Sequence, residues 1–410
     1  MIGTVNRWST EAPLEKSFLA GVAMAAPFYA DFFSWRWVAL LAAPLFVVLL
    51  MRRERLKRPP LEILPFVVLL ALHVIALVFS HTVFSGQVIK DLVIASFLLA
   101  VFVVAGKDML AGFFSALIPL ALGTALLGLL KAGLLDRGYL IGFILDGCSA
   151  YPAGSALCVN YNNLGFLWLV AALGCIRTRF WWCIPFLLAA GALSSSRRFI
   201  LLMGFVPVIW ILIQGRPALI RLLGVVIATG FLLFFIPDAS SFENFRHGAT
   251  PYKVLEFNGE VSRENNEARI NRSGPAVMLG TMADGTLGTS TRLDFWRLGA
   301  SMVSWAPQGW RYHEVFSCTF SPCTDFHYPH MPVISEWLIG GALFALVGIA
   351  FYAWPFWLLL RERHLLPVVL FVLAMPYALI SGDTVFSLPI CISCMLVALS
   401  TVQRRGAQLP

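Results

Sequence analysis

Two adjacent arginines, Arg197 and Arg198, stand in the stretch "GALSSSRRFILLMG", directly after three serines and between two apolar runs. Arginine's planar fork matches the oxygens of phosphate and pyrophosphate. A fixed cation placed where charge develops on a leaving group stabilises a transition state without a metal. Four of the seven histidines, His247, His313, His327 and His330, fall within residues 237–332. An imidazole that titrates near the working pH can take the proton of an attacking hydroxyl. Cations for an anionic leaving group and a base for a hydroxyl are the parts of a group transfer from a pre-activated phosphate donor. The competing reading of the arginine pair is a snorkelling anchor at a helix end.

The elements that must position these residues are membrane helices. The chain of 410 residues is 59% hydrophobic and only 13% charged, against about 45–50% and about 25% in soluble domains. Apolar runs of roughly 15–25 residues recur along its length, as in a polytopic helical protein, without the short alternation of an outer-membrane barrel. Twelve spans are expected, at 17–30, 33–51, 62–80, 89–105, 110–131, 162–176, 180–194, 199–214, 218–236, 333–359, 366–381 and 386–402. The first is read as a retained helix rather than a cleaved signal, because a second follows at once. The fold class expected is therefore an all-α polytopic membrane protein with one long, partly helical outer loop. Its divisions are 1–236 (nine spans), 237–332 (the loop) and 333–410 (three spans and a tail). The short basic connections "MRRERLKR", "IRTR", "GRPALIR", "RERH" and "QRR" all fall on one side of this threading. By the positive-inside rule that side is the cytoplasm, with both termini. The net charge of +8 thus reads as loop marking rather than as affinity for nucleic acid. Arg197 and Arg198 come out on the opposite, outer face, where the rule places no positive charge.

The 237–332 segment carries eight Lys/Arg and ten Asp/Glu, and a loop of that length usually has a function. Within it "TRLDFWRLGASMVSWAP" shows helical periodicity, with Leu293, Trp296, Ala300 and Val303 on one face. Pro307, Pro322, Pro329 and Pro332 divide the rest into turns. Cys175, Cys183, Cys391 and Cys394 fall in or beside spans as packing residues. Cys318 with Cys323, and Cys148 with Cys158, lie in outer loops, where two local disulfides suit an oxidising compartment. Zinc on Cys318, Cys323, His327 and His330 is the rival, with a spacing that matches no standard finger. Near mid-span the chain is almost free of charge. His73 is the one titratable group well inside a helix, read as a hydrogen-bonded packing residue. Transporters bury ionisable groups at the midplane, so transport is disfavoured. There is no P-loop and no dinucleotide fingerprint, and no metal or other cofactor is expected.

Three pieces of the sequence resemble the bacterial O-antigen ligases and the related O-antigen polymerases. They are a Ser-Arg at the outer start of a span, "SSSRRF", and an arginine opening a helical segment that runs into a proline–glycine turn, "TRLDFWRLGASMVSWAPQGW". The third is a histidine turn leading directly into a glycine-rich span, "DFHYPHMPVISEWLIGG". Order, sidedness and distance from the C-terminus match together, as does the layout of about twelve spans with one long periplasmic loop late in the chain. The family turn commonly reads His-x-His-Asn; here the histidines are three apart and Met331 stands in the Asn position.

The resemblance implies an integral-membrane glycosyltransferase of GT-C-like fold in the bacterial inner membrane, acting in lipopolysaccharide biosynthesis with its site facing the periplasm. The donor would be a glycan on undecaprenyl pyrophosphate and the acceptor a sugar hydroxyl of lipid A-core. By carry-over Arg197 and Arg292 would bind the pyrophosphate, helped by Arg198 and Ser196. His330, with His327 beside it, would activate the acceptor hydroxyl, with inversion at the anomeric carbon. Arg311, with Arg263, Arg269 and Arg272, is a candidate for the acceptor's core phosphates. Glu336 and Asp383 are candidate partners of the arginines. The plainer readings are a solvated Arg292 paired with Asp294 or Glu267, a structural turn at His330, ordinary interfacial acids at 336 and 383, and a solvated face for the loop arginines. The functional rivals are a polymerase with the same donor chemistry, and a non-enzymatic flippase of lipid-linked oligosaccharide.

Overall fold

The computed structural model describes residues 63–80, 82–83, 85–105, 109–136, 139–141, 161–178, 180–193, 197–215, 218–235, 253–255, 290–320 and 328–362, with short pieces between 18 and 23 and between 373 and 394. Their regular elements are helices apart from one pair of short strands. In chain order they form α1 (Leu64–Phe79), α2 (Ser85–Ala105), α3 (Met109–Asp136), β1 (Tyr139–Ile141) and α4 (Tyr161–Arg177). After these come α5 (Ile184–Ala192), α6 (Arg197–Met203), α7 (Phe205–Gln214), α8 (Ala218–Phe235) and β2 (Lys253–Leu255). The described elements end with α9 (Ser290–Met302), α10 (Tyr312–Phe320) and α11 (Pro332–Glu362). The chain divides into two compact units, one of Met1–Pro27, Leu41–Phe113 and Gly288–Pro410, the other of Phe28–Leu40 and Phe114–Leu287. This division does not follow the sequence divisions: the 237–332 segment is shared, its residues up to 287 belonging to the second unit and those from 288 to the first.

Two stretches are long and apolar enough to cross a membrane, Phe113–Leu130 in α3 and Pro332–Trp354 in α11. Shorter apolar helices occupy Leu64–Phe79, Leu164–Ile176, Trp181–Ala192, Arg198–Leu212 and Ala218–Phe234, each within or overlapping an expected span. The expected spans at 17–30, 33–51, 366–381 and 386–402 lie largely outside the described residues. The span expected at 199–214 is broken into α6 and α7 at Gly204. Pro207 lacks the N–H that an unbroken helix would donate to the Met203 carbonyl, so the ladder fails there.

In the first unit α1 packs against α2 and α11. Phe66 stands edge-on to Phe386 at 5.4 Å and tilted on Phe351 at 6.2 Å. In the second, α5 packs against α4 and α8. Every residue of α4 from Leu164 to Ile176 is buried. Trp168 donates its indole N–H to Thr124 Oγ1 (3.2 Å), and that hydroxyl bonds back to the Leu120 and Ala121 carbonyls, so the polar atoms of this interior are satisfied. By contrast α8 presents Leu219, Ile220, Leu223, Val226, Ile227, Phe231 and Phe234 outward. Large side chains left in water forgo about 1.5–3 kcal/mol each, and a contiguous stripe of them suits a lipid surround.

The described residues are all-α in class, as expected, with one short strand pair beside the helices. β1 and β2 run parallel, with Tyr139 opposite Lys253 and Ile141 opposite Leu255. Three residues carry too little alternation to be read from sequence.

Candidate functional site

The site is built outward from α9. Periodicity placed Leu293, Trp296, Ala300 and Val303 on one face of a helix; the structure forms that helix, buries Phe295 and Gly299, half-buries Trp296 and exposes Ala300. The face is rotated because backbone approach, rather than side-chain bulk, decides the contact. A Cβ at Gly299 would lie 2.9 Å from Ile334 and 3.1 Å from Pro329, so α9 rests its glycine on the start of α11.

That contact carries the histidine turn with it. His330 has φ +56°, the sole non-glycine residue with positive φ among the described ones. Its ring stacks on Phe295 at 5.4 Å and 26°, with Tyr328 at 4.2 Å. Left-handed backbone is uncommon outside glycine and persists where surroundings enforce it. Here the enforcing groups are the ring stack and Pro332, which opens α11 two residues later with its fixed φ. The amides of Ile334 and Ser335 both donate to the Met331 carbonyl (3.0 and 3.1 Å), tying the turn to the first turn of α11.

The segment after α9 closes the other side. Gln308 donates its amide to the Leu338 carbonyl (2.9 Å) and its side chain to the Met302 carbonyl (2.6 Å). Trp337 Nε1 donates to the Ser304 carbonyl (3.0 Å). Gly309 has φ +64°, and a Cβ there would lie 2.3 Å from Ser80 Oγ. Its neighbour Trp310 donates its amide to that same hydroxyl (2.8 Å). Gly341 has φ +71°, breaks α11, and lets the Trp305 carbonyl come where a Cβ would be 2.7 Å away. The proline–glycine turn and the glycine-rich span thus meet directly.

Beneath lies a fully buried ionisable pair. His73 Nδ1 donates to the Leu69 carbonyl (2.8 Å), and Nε2 lies 3.1 and 2.8 Å from the two oxygens of Glu336. Both side chains are 0% exposed. Trp310, Phe344 and Phe386 surround the imidazole at 5.7, 5.6 and 4.9 Å. His73 is a hydrogen-bonded interior residue, as expected. Its partner, however, was not legible, because 263 residues separate the two. The only available signal was an ionisable residue in each of two apolar runs.

Arg292 is the third residue of α9, one helical turn from Phe295; its side chain lies outside the described residues. Trp296, one turn past Arg292, keeps its indole N–H buried with no acceptor among the described residues. Arg311 is exposed, directly before α10. Glu314 on the same helix accepts the Val83 amide (3.0 Å).

In the second unit Arg197 opens α6 and Arg198 is buried, 6% exposed. What fixes this helix end is Phe199, edge-on to Trp168 at 6.4 Å. Its ring packs so closely on Gly191 that a Cβ there would lie 2.1–2.4 Å from ring carbons. Ser196, His247, Arg263, Arg269, Arg272, His327, Asp383, Cys148, Cys158 and Cys323 lie outside the described residues.

Cys318 is disulfide-bonded, so it offers no thiolate to zinc, while Cys175, Cys183, Cys391 and Cys394 are free and buried. Among the described residues no group of three or more His, Cys, Asp and Glu is placed to hold a metal. No protein-family model matches this chain, and no curated protein gives a significant match.

Proposed function

We propose that the chain is a polytopic inner-membrane glycosyltransferase of the O-antigen ligase type. In this reading it moves a glycan from undecaprenyl pyrophosphate to a sugar hydroxyl of lipid A-core on the periplasmic face. The observation that supports it best is the docking of the histidine turn on the arginine-bearing helix. His330 stacks on Phe295, one turn beyond Arg292, and Gly299 seats on Pro329 and Ile334. A proton acceptor and a cation on two elements locked at one contact suit the attack and departure sides of a displacement.

The twelve-span threading is part of the proposal, and contacts at three places are consistent with it. Val83 meets Glu314 and Ser80 meets Trp310, all on the expected outer side. β1 pairs with β2, joining two expected outer loops separated by four spans, and an even number returns the chain to the same face. Gln214 donates to the Ile176 carbonyl and accepts from Trp210 (3.0 Å) and Arg221 (3.4 Å), linking two expected cytoplasmic turns. The disulfide at Cys318 suits an oxidising outer compartment.

His330 takes the acceptor's hydroxyl proton as that oxygen attacks the anomeric carbon. The bond from this carbon to the pyrophosphate oxygen breaks, and undecaprenyl pyrophosphate leaves with its charge held by Arg292, the role that the resemblance also gives Arg197. Attack from the opposite side inverts the carbon. The donor bond is already activated, so the chemistry draws on neither ATP nor a metal.

The test is reconstitution of the purified protein with undecaprenyl-pyrophosphate glycan and lipid A-core, without ATP or metal. Glycan on the core supports the ligase; elongation on the lipid carrier supports the polymerase. Passage of glycolipid across liposomes with no transfer overturns the enzyme reading.

A further inference from the structure

The His73–Glu336 pair has no part in the chemistry above, yet it stands where three pieces of the site meet. His73 is on α1, whose end gives Ser80 to the Trp310 amide (2.8 Å). Trp310 itself lies against the imidazole, and its indole N–H reaches the His73 carbonyl at 3.5 Å. Glu336 is on the first turns of α11, five residues past the Met331 carbonyl that anchors the histidine turn and two before the Leu338 carbonyl that holds Gln308. One contact between side chains therefore sets α1, the Gln308–Trp310 turn and the root of His330 against one another.

The proton count limits what this contact can be. The Leu69 carbonyl can only accept, so Nδ1 carries a hydrogen. Nε2 facing a carboxyl group at 2.8 Å then requires one proton between them, on the nitrogen or on the oxygen. Either way the pair is neutral overall, as a membrane interior demands. Such a pair gains little stability over apolar side chains of the same volume; its better-attested use is to fix one arrangement among several.

We infer that His73 and Glu336 are positioning residues, which hold the histidine turn in register with α9 for the transfer step. The inference rests on the reading of His330 as the base. The pair acts by geometry and not by supplying a proton. Glu336→Gln can still donate its amide hydrogen to Nε2 of a neutral His73 and preserves the arrangement. The double variant His73→Leu/Glu336→Leu removes it without leaving a buried charge.

The test compares these two full-length variants with wild type in nanodiscs, by glycan transfer and by amide hydrogen exchange. In the double variant, kcat should fall about a hundredfold, as for a misplacement near 1 Å, with KM for the donor unchanged. Exchange should quicken in the peptide spanning residues 328–338 and stay unchanged in α4. Glu336→Gln should restore both readouts to near wild type. A fully active double variant would mean that the pair is packing only. A Glu336→Gln protein as inactive as the double would mean that the proton itself is used. Either result overturns the inference. The exchange readout needs no activity, so it also separates the two ideas. Quickened exchange in a chain that shows no wild-type transfer would sink the ligase reading alone, while unchanged exchange in the double variant would sink the positioning role.

Discussion

A left-handed histidine is a local cost that its neighbours must offset, and this allows its backbone and its ring to be separated by mutation. Asparagine tolerates the same φ nearly as well and has no basic nitrogen. His330→Asn should therefore stay folded and lose only the stack on Phe295, about 0.5–1.5 kcal/mol, while transfer falls about 10²–10⁴-fold, the usual contribution of a general base. A variant that unfolds, or one that keeps its activity, would identify the turn as structural. At Arg292 the question is fork against point charge: Arg292→Lys should recover little of what Arg292→Ala loses in kcat/KM if two oxygens are held at once. Both tests concern residues that the family resemblance singled out by motif. The His73–Glu336 contact could not be read this way, because a pairing across 263 residues is set by how the helices are threaded together. Nor could the burial of Arg198. In the sequence it looks like the lesser neighbour of Arg197, and only the seating of the following Phe199 shows which way the helix end is turned in.

At the scale of elements, periodicity was informative wherever side-chain bulk decides packing and failed where its absence does. The helices at 64–79, 161–177 and 218–235 lie where apolar runs place them. The face of α9 did not, because its contact is made by Gly299 rather than by a large residue. The same logic gives a prediction for α6. Gly191→Ala puts a methyl inside the Phe199 ring, so the ring must leave its place beside Trp168. Overpacking of this kind costs about 1–3 kcal/mol, and the displaced ring takes the arginine end of α6 with it. Transfer should drop although neither residue is placed against substrate, and Phe199→Leu in the same chain should recover part of both losses. Thermal melts and kcat/KM for the single and double variants check this. If Gly191→Ala is silent, Phe199 does not anchor the arginines.

For the whole molecule, composition pointed to the helical class, and the described residues include two helices long and apolar enough to cross a membrane. The division into two units was not legible in composition, because it depends on which helices touch. Sidedness can be measured directly. A cysteine at Arg311 should react with a membrane-impermeant maleimide added outside intact spheroplasts, and one at Arg179 only after lysis. The reverse pattern, or equal labelling, would refute the threading. Reduction of the bond at Cys318, or Cys318→Ser, should lower stability by about 2–5 kcal/mol if that bond behaves as structural disulfides in small domains do. Comparison of melts with and without reductant reads this out.

The distance in sequence between His73 and Glu336 also has a consequence for how the protein is made. At about 5–20 residues per second, the ribosome needs on the order of tens of seconds to pass from one to the other. In the proposed threading α1 spends that interval in the membrane without its partner. A histidine can wait: it is uncharged with one nitrogen bare, and its Nδ1 hydrogen is already satisfied by the Leu69 carbonyl of its own helix. A carboxylate in the same place would face roughly the 2.5–3.5 kcal/mol insertion cost of an isolated acid until its partner arrived. On that threading, the order of the two residues along the chain, imidazole first and acid last, is the order in which each is delivered to the bilayer without being stranded there.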